Sequence, residues 1–408
     1  MARCFAGAKC ELASVARSLA KQTRRSLDCN AAAAPIPFSS PIPSHHRSKL
    51  HLQSEAPCLL LQRGVAAGHF NRTSLGNLSS SGVKLGQSVE ERKWNLVSAS
   101  MQASVQTAAK VGARESGSVP LEKLVEVVTN AAKTGAAVVM DRVDKPRTVD
   151  FKGATDLVTD TDKATEEAIL EVIKEAFPDH LVLGEEGGVS GGPNSDYLWC
   201  IDPLDGTTNF AHSYPCFAVS VAVLWKGRPI AGSVVEFAGG PFCWVTRTFS
   251  ATAGGGAFCE GQRIHVSDTE SVQRSLLVTG FGYEHDDAWA TNIELFKHFT
   301  DVTRGVRRLG AAAVDLCHVA LGLVDAYWEY RLKPWDVAAG VLIAEEAGAL
   351  VTRMDGKDFT VFDRSVIASN GKIHPQLLDV IRPATQKLLD SGKFVDDLWF
   401  KPDGYQLK

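Results

Sequence analysis

From residue 121 the apolar positions Leu124, Val125, Val128, Ala131, Ala132, Ala136 and Val139 recur at intervals of three and four, which predicts a long amphipathic helix stopping before Lys145-Pro146. A second helical period, Ala164, Ile169, Leu170, Ile173 and Ala176, follows a loop that carries Asp150, Asp156, Asp160 and Asp162, and one of these acids is placed to cap it. Leu181-Val182-Leu183 reads as a short strand running into Gly184-Glu185-Glu186-Gly187. After a Gly/Ser/Pro loop at 188–196, residues 197–201 read as a buried strand that Pro203 and Gly206 bring to a stop. Past Asn209 the texture changes to antiparallel strands at 217–225, 229–236 and 242–246, divided by turn residues. From Ser275 strands at 276–279, 306–309, 326–329, 350–352 and 366–369 alternate with helices at 292–299, 311–321, 335–347 and 375–389, a second lobe of α/β type.

Residues 1–89 show no such period. They hold thirteen Ser and eleven Lys and Arg against three acids, a charge of +8, which leaves −12 on the rest of a chain whose net charge is −4. Serine-rich, arginine-bearing and acid-poor composition is that of an organelle transit peptide, here plastid rather than mitochondrial, with a non-targeting tail as the alternative. Neither an apolar run of roughly 20 residues nor a secretory h-region is present in the sequence, which points away from a membrane partner and from secretion. The expected organisation is a leader at 1–95, with its boundary between about 90 and 118, an N-terminal lobe at 118–270, a C-terminal lobe at 271–390 and a tail at 391–408. The expected location is the chloroplast stroma, after removal of the leader. An acidic body argues against nucleic acid or an anionic membrane as the main partner.

Five cysteines lie in the body without a C-x-x-C pair, so no zinc or thioredoxin-like site is legible. Gly254-Gly255-Gly256 lacks the pattern of a nucleotide loop, and His212, His265, His318 and His374 have no ligand spacing among them. The chemistry therefore rests on carboxylates. Asp202-Pro203-Leu204-Asp205-Gly206-Thr207-Thr208 puts two acids and two hydroxyls just past a strand, where ligand crevices form in α/β proteins. By itself D-x-x-D-G also fits a solvated turn. Glu185 after the preceding strand and Asp336 at a helix start, within Lys333-Pro334-Trp335-Asp336, add acids at other element ends. Such oxygens suit a hard divalent cation.

The string Gly184-Glu185-Glu186, Asp202 through Thr208, and Trp335-Asp336-Val337-Ala338-Ala339-Gly340 resembles the inositol monophosphatase family over about residues 120–385, and with its leader the chain is most similar to plastid-targeted plant members. The resemblance implies a five-layered αβαβα sandwich of α+β type, usually a homodimer, that hydrolyses myo-inositol 1-phosphate or a related polyol or sugar phosphate such as galactose 1-phosphate. It implies Mg2+ as cofactor, roughly two to three ions. Carried over, Glu185, Asp202, Asp205, Asp336 and the carbonyl of Leu204 would hold metal, with Asp202 shared between ions. Thr207 paired with Asp162 would activate water, with Glu185 beside the weaker ion. Gly206, Thr207, Thr208, Asp205, Asp336 and Glu329 would meet the substrate, and Li+ would inhibit. Lys333 and Ala311-Ala312-Ala313 depart from animal members near the substrate's ring. Histidinol phosphate and fructose 1,6-bisphosphate stay open as substrates, the latter through Arg304, Arg307, Arg308, Arg331 and Lys333. A catalytically silent sugar-phosphate-binding protein is the alternative of another class.

Overall fold

The computed structural model describes residues 110–112, 115–146, 149–151, 157–395 and 397–408, so the expected leader lies outside the described residues. Helix α1 (Leu121–Arg142) buries the predicted stripe, including Leu124, Val128, Ala132 and Val139. The loop expected around Asp150 instead holds β1 (Val149–Phe151), antiparallel to β2 (Leu157–Thr159). Strands of three residues are too short to show a period of two. Helix α2 (Asp160–Ala176) is capped by Thr159 rather than by an acid: the Thr161 amide donates to the Thr159 hydroxyl, and Asp162 returns the bond by accepting from the Thr159 amide.

Strands β3 (Leu181–Gly184), β4 (Gly188–Gly191) and β5 (Tyr197–Asp205) lead into the short helix α3 (Thr207–Ala211). Then come β6 (Phe217–Trp225), β7 (Arg228–Ala238), β8 (Val245–Thr252), β9 (Gly256–Cys259) and β10 (Gln262–Arg263). The eight strands from β3 form one sheet in the order β10-β9-β8-β7-β6-β5-β3-β4, antiparallel except between β3 and β5. The strand expected at 242–246 starts only at Val245, because Phe242 takes a left-handed φ of 66° in the connecting loop.

A second sheet follows, built from β11 (Leu276–Thr279), β12 (Gly305–Arg307), β13 (Ala326–Tyr330), β14 (Leu350–Thr352) and β15 (Ser365–Ser369) in the order β12-β11-β13-β15-β14. Its helices are α4 (Asp287–Val302), α5 (Ala312–Ala320), α6 (Pro334–Glu346) and α7 (His374–Asp390). Helix α4 starts earlier than its apolar period because the Asp286 carboxylate caps it, accepting from the Trp289 amide.

Alternation along the strands assigns the layers. Trp199, Ile201, Val219, Val221 and Phe237 face α1 and α2, whereas Leu198, Cys200, Ala218, Ala222 and Val234 face the opposite way, toward α5 and α6. Tyr327, Val366 and Ala368 close that second core from the small sheet, whose other face, Trp328, Tyr330 and Ile367, packs on α4 and α7. The order is helices, sheet, helices, sheet, helices: a five-layered αβαβα sandwich. Helix α6 lies in the middle layer and is apolar all round, with eleven of its thirteen residues buried. Among the described residues no helix is long and apolar enough to cross a membrane.

Candidate active site

Pro203 does not end β5. The strand continues to Asp205, and its register against β6 slips between Asp202 and Asp205. Strict alternation would put Leu204 on the Cys200 and Asp202 side and Asp205 on the other. The bulge moves Leu204 into the core under α1 and α2 and keeps Asp205 beside Asp202 on the middle-layer side. Both carboxylates are buried. Asp202 accepts from the Leu204 amide at 3.0 Å, and Asp205 accepts from the Ala312 and Ala313 amides that open α5, at 3.1 and 2.7 Å. Burial pushes the Asp202 carboxyl well up, with the charges of Glu185, Asp205 and Asp336 adding to it. Burial and then the Asp336 charge push Asp205 up to about 8, against the two amide bonds.

Gly206 follows at φ 88°, a conformation that a side chain would strain, and a Cβ there would meet the Cys216 carbonyl oxygen at 3.1 Å. The turn delivers Thr207 to the start of α3. Its hydroxyl lies 3.0 Å from Asp162 Oδ1 and 3.1 Å from the Leu204 carbonyl, so its one proton points inward. Asp162, wholly buried, accepts from the Thr159 amide and hydroxyl at 2.9 and 2.5 Å through its other oxygen. Burial outweighs these bonds and pushes its carboxyl up to about 6.

Glu185 is brought alongside by its amide, which donates to the Ile201 carbonyl at 3.1 Å. The turn that carries it is moulded on Glu166, a residue sequence reasoning did not single out. The Glu166 carboxylate accepts from the Glu186 and Gly187 amides at 2.9 and 2.6 Å, and a Cβ at Gly184 would meet it at 2.6 Å. The available signal was an acid on the buried stripe of α2, in step with Asp162, Ile169 and Ile173.

Asp336 stands at the third position of α6, where Pro334 opens the helix and the Asp336 carboxylate accepts from the Lys333 amide at 2.7 Å. Glu329, near the end of β13, accepts from the Tyr327 hydroxyl at 2.5 Å, and a Cβ at Gly280 would overlap the Glu329 carboxylate as it stands. Burial pushes Glu329 up to about 7, opposed by the Tyr327 bond and the Arg308 charge.

Glu185, Asp202, Leu204, Asp205, Gly206, Thr207, Glu329 and Asp336 all line one cavity of about 380 Å³. Asp162 stands behind Thr207 instead of on the wall. Thr208 is not brought to the wall either, one step further round α3 with its hydroxyl buried. Of the basic residues, Arg308, Arg331 and Lys333 reach the cavity and Arg304 and Arg307 do not; Arg331 is paired with Asp286 and Glu284. The donor set is hard carboxylate oxygen, and the mutual repulsion at Asp202 and Asp205 is of the kind a divalent cation relieves, so the residues fit such an ion. The set is open: among the described residues no three His, Cys, Asp or Glu side chains already close on a point at metal-binding distances. The five cysteines of the body are free thiols. Two of the four histidines set aside in the sequence serve packing: His374 bonds to the Thr352 and Ser369 hydroxyls, and His318 to Glu236.

The sequence profile described as the inositol monophosphatase family matches residues 120–386. The chain is 69% identical over 297 residues to the protein called phosphatase IMPL1, chloroplastic, of Arabidopsis thaliana, covering 72% of this chain and 80% of that protein. It is 41% identical over 267 residues to the inositol-1-monophosphatase of Synechocystis, covering 65% and 91%. The solved inositol monophosphatase of Anabaena superposes with a TM-score of 0.57 at 40% identity, covering 64% of this chain and 96% of that one.

Proposed function

The chain belongs to the inositol monophosphatase family and is a phosphatase of that family, and on that premise we propose that it is a Mg2+-dependent phosphomonoesterase acting on myo-inositol 1-phosphate and related polyol or sugar phosphates. The observation that carries the reading is the convergence of Glu185, Asp202, Asp205 and Asp336, from three separate element ends, on one cavity beside the Thr207–Asp162 pair. The four carboxylates and the Leu204 carbonyl are the residues that would hold roughly two to three Mg2+ ions. Bound there, Mg2+ supplies charge neutralisation of the ester, an activated water and stabilisation of the leaving oxygen.

The protein's own part is positioning and proton transfer. With its proton committed inward, the Thr207 hydroxyl offers a lone pair to a water, and Asp162, held near neutral pH at about 6, is matched to receive the proton through it. The Gly206 and Thr207 amides at the turn suit phosphate oxygens. Glu329, across the cavity, suits substrate hydroxyls, and the basic Arg308 and Lys333 nearby suit the anionic ester. A homodimer and Li+ inhibition belong to the same reading. A chloroplast location is supported by the leader's composition and by the chloroplastic relative. The organisation into leader, two lobes and tail goes with it, the leader ending before Lys110, since the Val111 and Gly112 amides donate to buried Glu345.

The test is phosphate release from inositol 1-phosphate by leaderless protein, with Mg2+ and with chelator. Release only with Mg2+, lost in Asp336→Asn while the fold persists, is expected. No release at any metal concentration, or near wild-type turnover by Asp336→Asn, sinks the assignment.

A further inference from the structure

Residues 391–408 follow the last helix and lie beyond the span matched by the family profile, yet Trp399 and Phe400 line the active-site cavity. Their placement is built from several independent contacts. The Phe400 ring meets Trp335, the neighbour of Asp336, edge-on at 5.0 Å, and Trp399 packs beside it at 5.2 Å. The Arg364 guanidinium covers Trp399 at 4.5 Å and pairs with Asp397 at 2.7 Å, while the Trp399 amide donates to the Phe362 carbonyl. Phe400 is held at φ 54°, a conformation unfavourable for a bulky residue and kept only where the surroundings impose it.

Further on, the segment is fastened to the hairpin between β6 and β7. Tyr405 is buried; its hydroxyl accepts from the Gly227 amide at 2.9 Å and donates to the Asp196 carbonyl at 3.3 Å. Leu407 lies so close to Gly227 that a Cβ there would meet it at 2.4 Å, and the Lys408 amide donates to the Lys226 carbonyl. An aromatic pair is thus brought to a cavity that Glu185, Asp202, Asp205, Glu329 and Asp336 also line. Phe400 lines the cavity and nevertheless keeps 40% of its surface exposed.

We propose that the segment 397–408 is a fixed wall of the substrate pocket, whose Trp399 and Phe400 rings receive the C–H face of a cyclic polyol or sugar and so favour cyclic over acyclic phosphomonoesters. The chemistry is complementary: a cyclohexane or pyranose ring presents a continuous face of C–H groups for an aromatic surface while its hydroxyls stay free for Glu329 and water, whereas a glycerol chain presents no such face. The proposal rests on the phosphomonoesterase reading above. Trp399 and Phe400 then determine specificity without touching the reacting atoms.

The experiment compares kcat/KM for inositol 1-phosphate and for glycerol 2-phosphate in the full leaderless chain, with Phe400→Ala, Trp399→Ala, the conservative Phe400→Tyr and Trp399→Phe, and the fastening variant Tyr405→Ala, thermal midpoints being recorded for each. The alanine variants are expected to lower the cyclic-to-acyclic ratio by about fivefold or more, chiefly through KM for the cyclic ester. The conservative variants should restore the ratio, and Tyr405→Ala should lower it without altering any cavity residue. Alanine variants that leave the ratio unmoved, or change both substrates by the same factor, overturn the proposal whatever their thermal midpoints. If the unmutated enzyme hydrolyses both esters and only the ratio fails to respond, the wall alone is wrong; if it hydrolyses neither, the phosphatase reading falls and takes this one with it.

Discussion

Replacing Asp205 by Asn should stabilise the metal-free protein while removing its activity. Burial and the Asp336 charge push the Asp205 carboxyl up to about 8, against roughly 3.9 for an unfolded aspartate. At about 1.4 kcal/mol per unit, holding this group at pH ~7.5 costs the metal-free fold on the order of 4–5 kcal/mol. Asparagine removes that cost but keeps one acceptor for two amides, Ala312 at 3.1 Å and Ala313 at 2.7 Å, and an amide left facing Nδ2 costs about 1–3 kcal/mol. The balance is a gain of about 1–4 kcal/mol, or several °C in Tm for a domain of this size. The sign of the pH dependence is fixed too. An acid whose folded pKa lies above its unfolded one binds more protons in the native state between roughly pH 4 and 8, so the wild-type stabilises as pH falls and the variant's advantage closes toward pH ~4. Calorimetry in excess EDTA and in saturating Mg2+ reads both effects: the variant should melt higher in EDTA and lose the upward shift that Mg2+ gives the wild-type. A variant that melts lower in EDTA at pH ~7.5, or whose advantage grows on acidification, refutes the reasoning.

Glu166→Gln leaves one of the Glu186 and Gly187 amides without its acceptor and loosens the turn that carries Glu185, so activity should need about 10–100-fold more Mg2+ at little change in kcat at saturation, as a metal titration of phosphate release would read. His374 is wholly buried, and burial first, then the Arg382 charge, pushes its imidazole down to about 3. The unfolded chain takes up that proton near pH ~6.5, so stability falls by up to about 1.4 kcal/mol per pH unit as pH drops below that value, and denaturant midpoints of His374→Asn should show a correspondingly flatter acid limb. A chain begun at residue 118 loses the Val111 and Gly112 amides that donate to buried Glu345 at 2.7 and 2.9 Å; it should be less stable by about 2–4 kcal/mol than one begun near residue 105, a difference that urea titration resolves.

The long helices were legible because burial on one face writes a period of 3.6 that depends on no other segment, as Leu124 to Val139 in α1 shows. The acids of the site were legible as motifs at element ends, and the structure gathers Glu185, Asp202, Asp205 and Asp336 about one cavity. What escaped was set by partners far away in the chain. The slip in β5 depends on β6, which supplies the register that Pro203 alone seemed to forbid. Glu166 looks like an ordinary helix acid until the 184–187 turn is folded onto it. Gly280 acquires its meaning only from Glu329, forty-nine positions on, and Tyr405 only from Asp196 and Gly227. Three-residue strands such as β1 and β2 carry too few positions for any period to show.

The β5 bulge fits the three-residue step between its two aspartates to a strand whose side chains alternate by two. A strand that ran through the three-residue step from Asp202 to Asp205 without the bulge would turn the second aspartate toward the apolar layer under α1 and α2 and bring leucine to the cavity, whereas deleting Pro203 leaves an even step of two that keeps both aspartates on the cavity face. An insertion or deletion of one residue within 192–196, between β4 and β5, changes no strand's parity. In this chain it is the counting of residues between Asp202 and Asp205, as much as their identity, that places both acids at one centre.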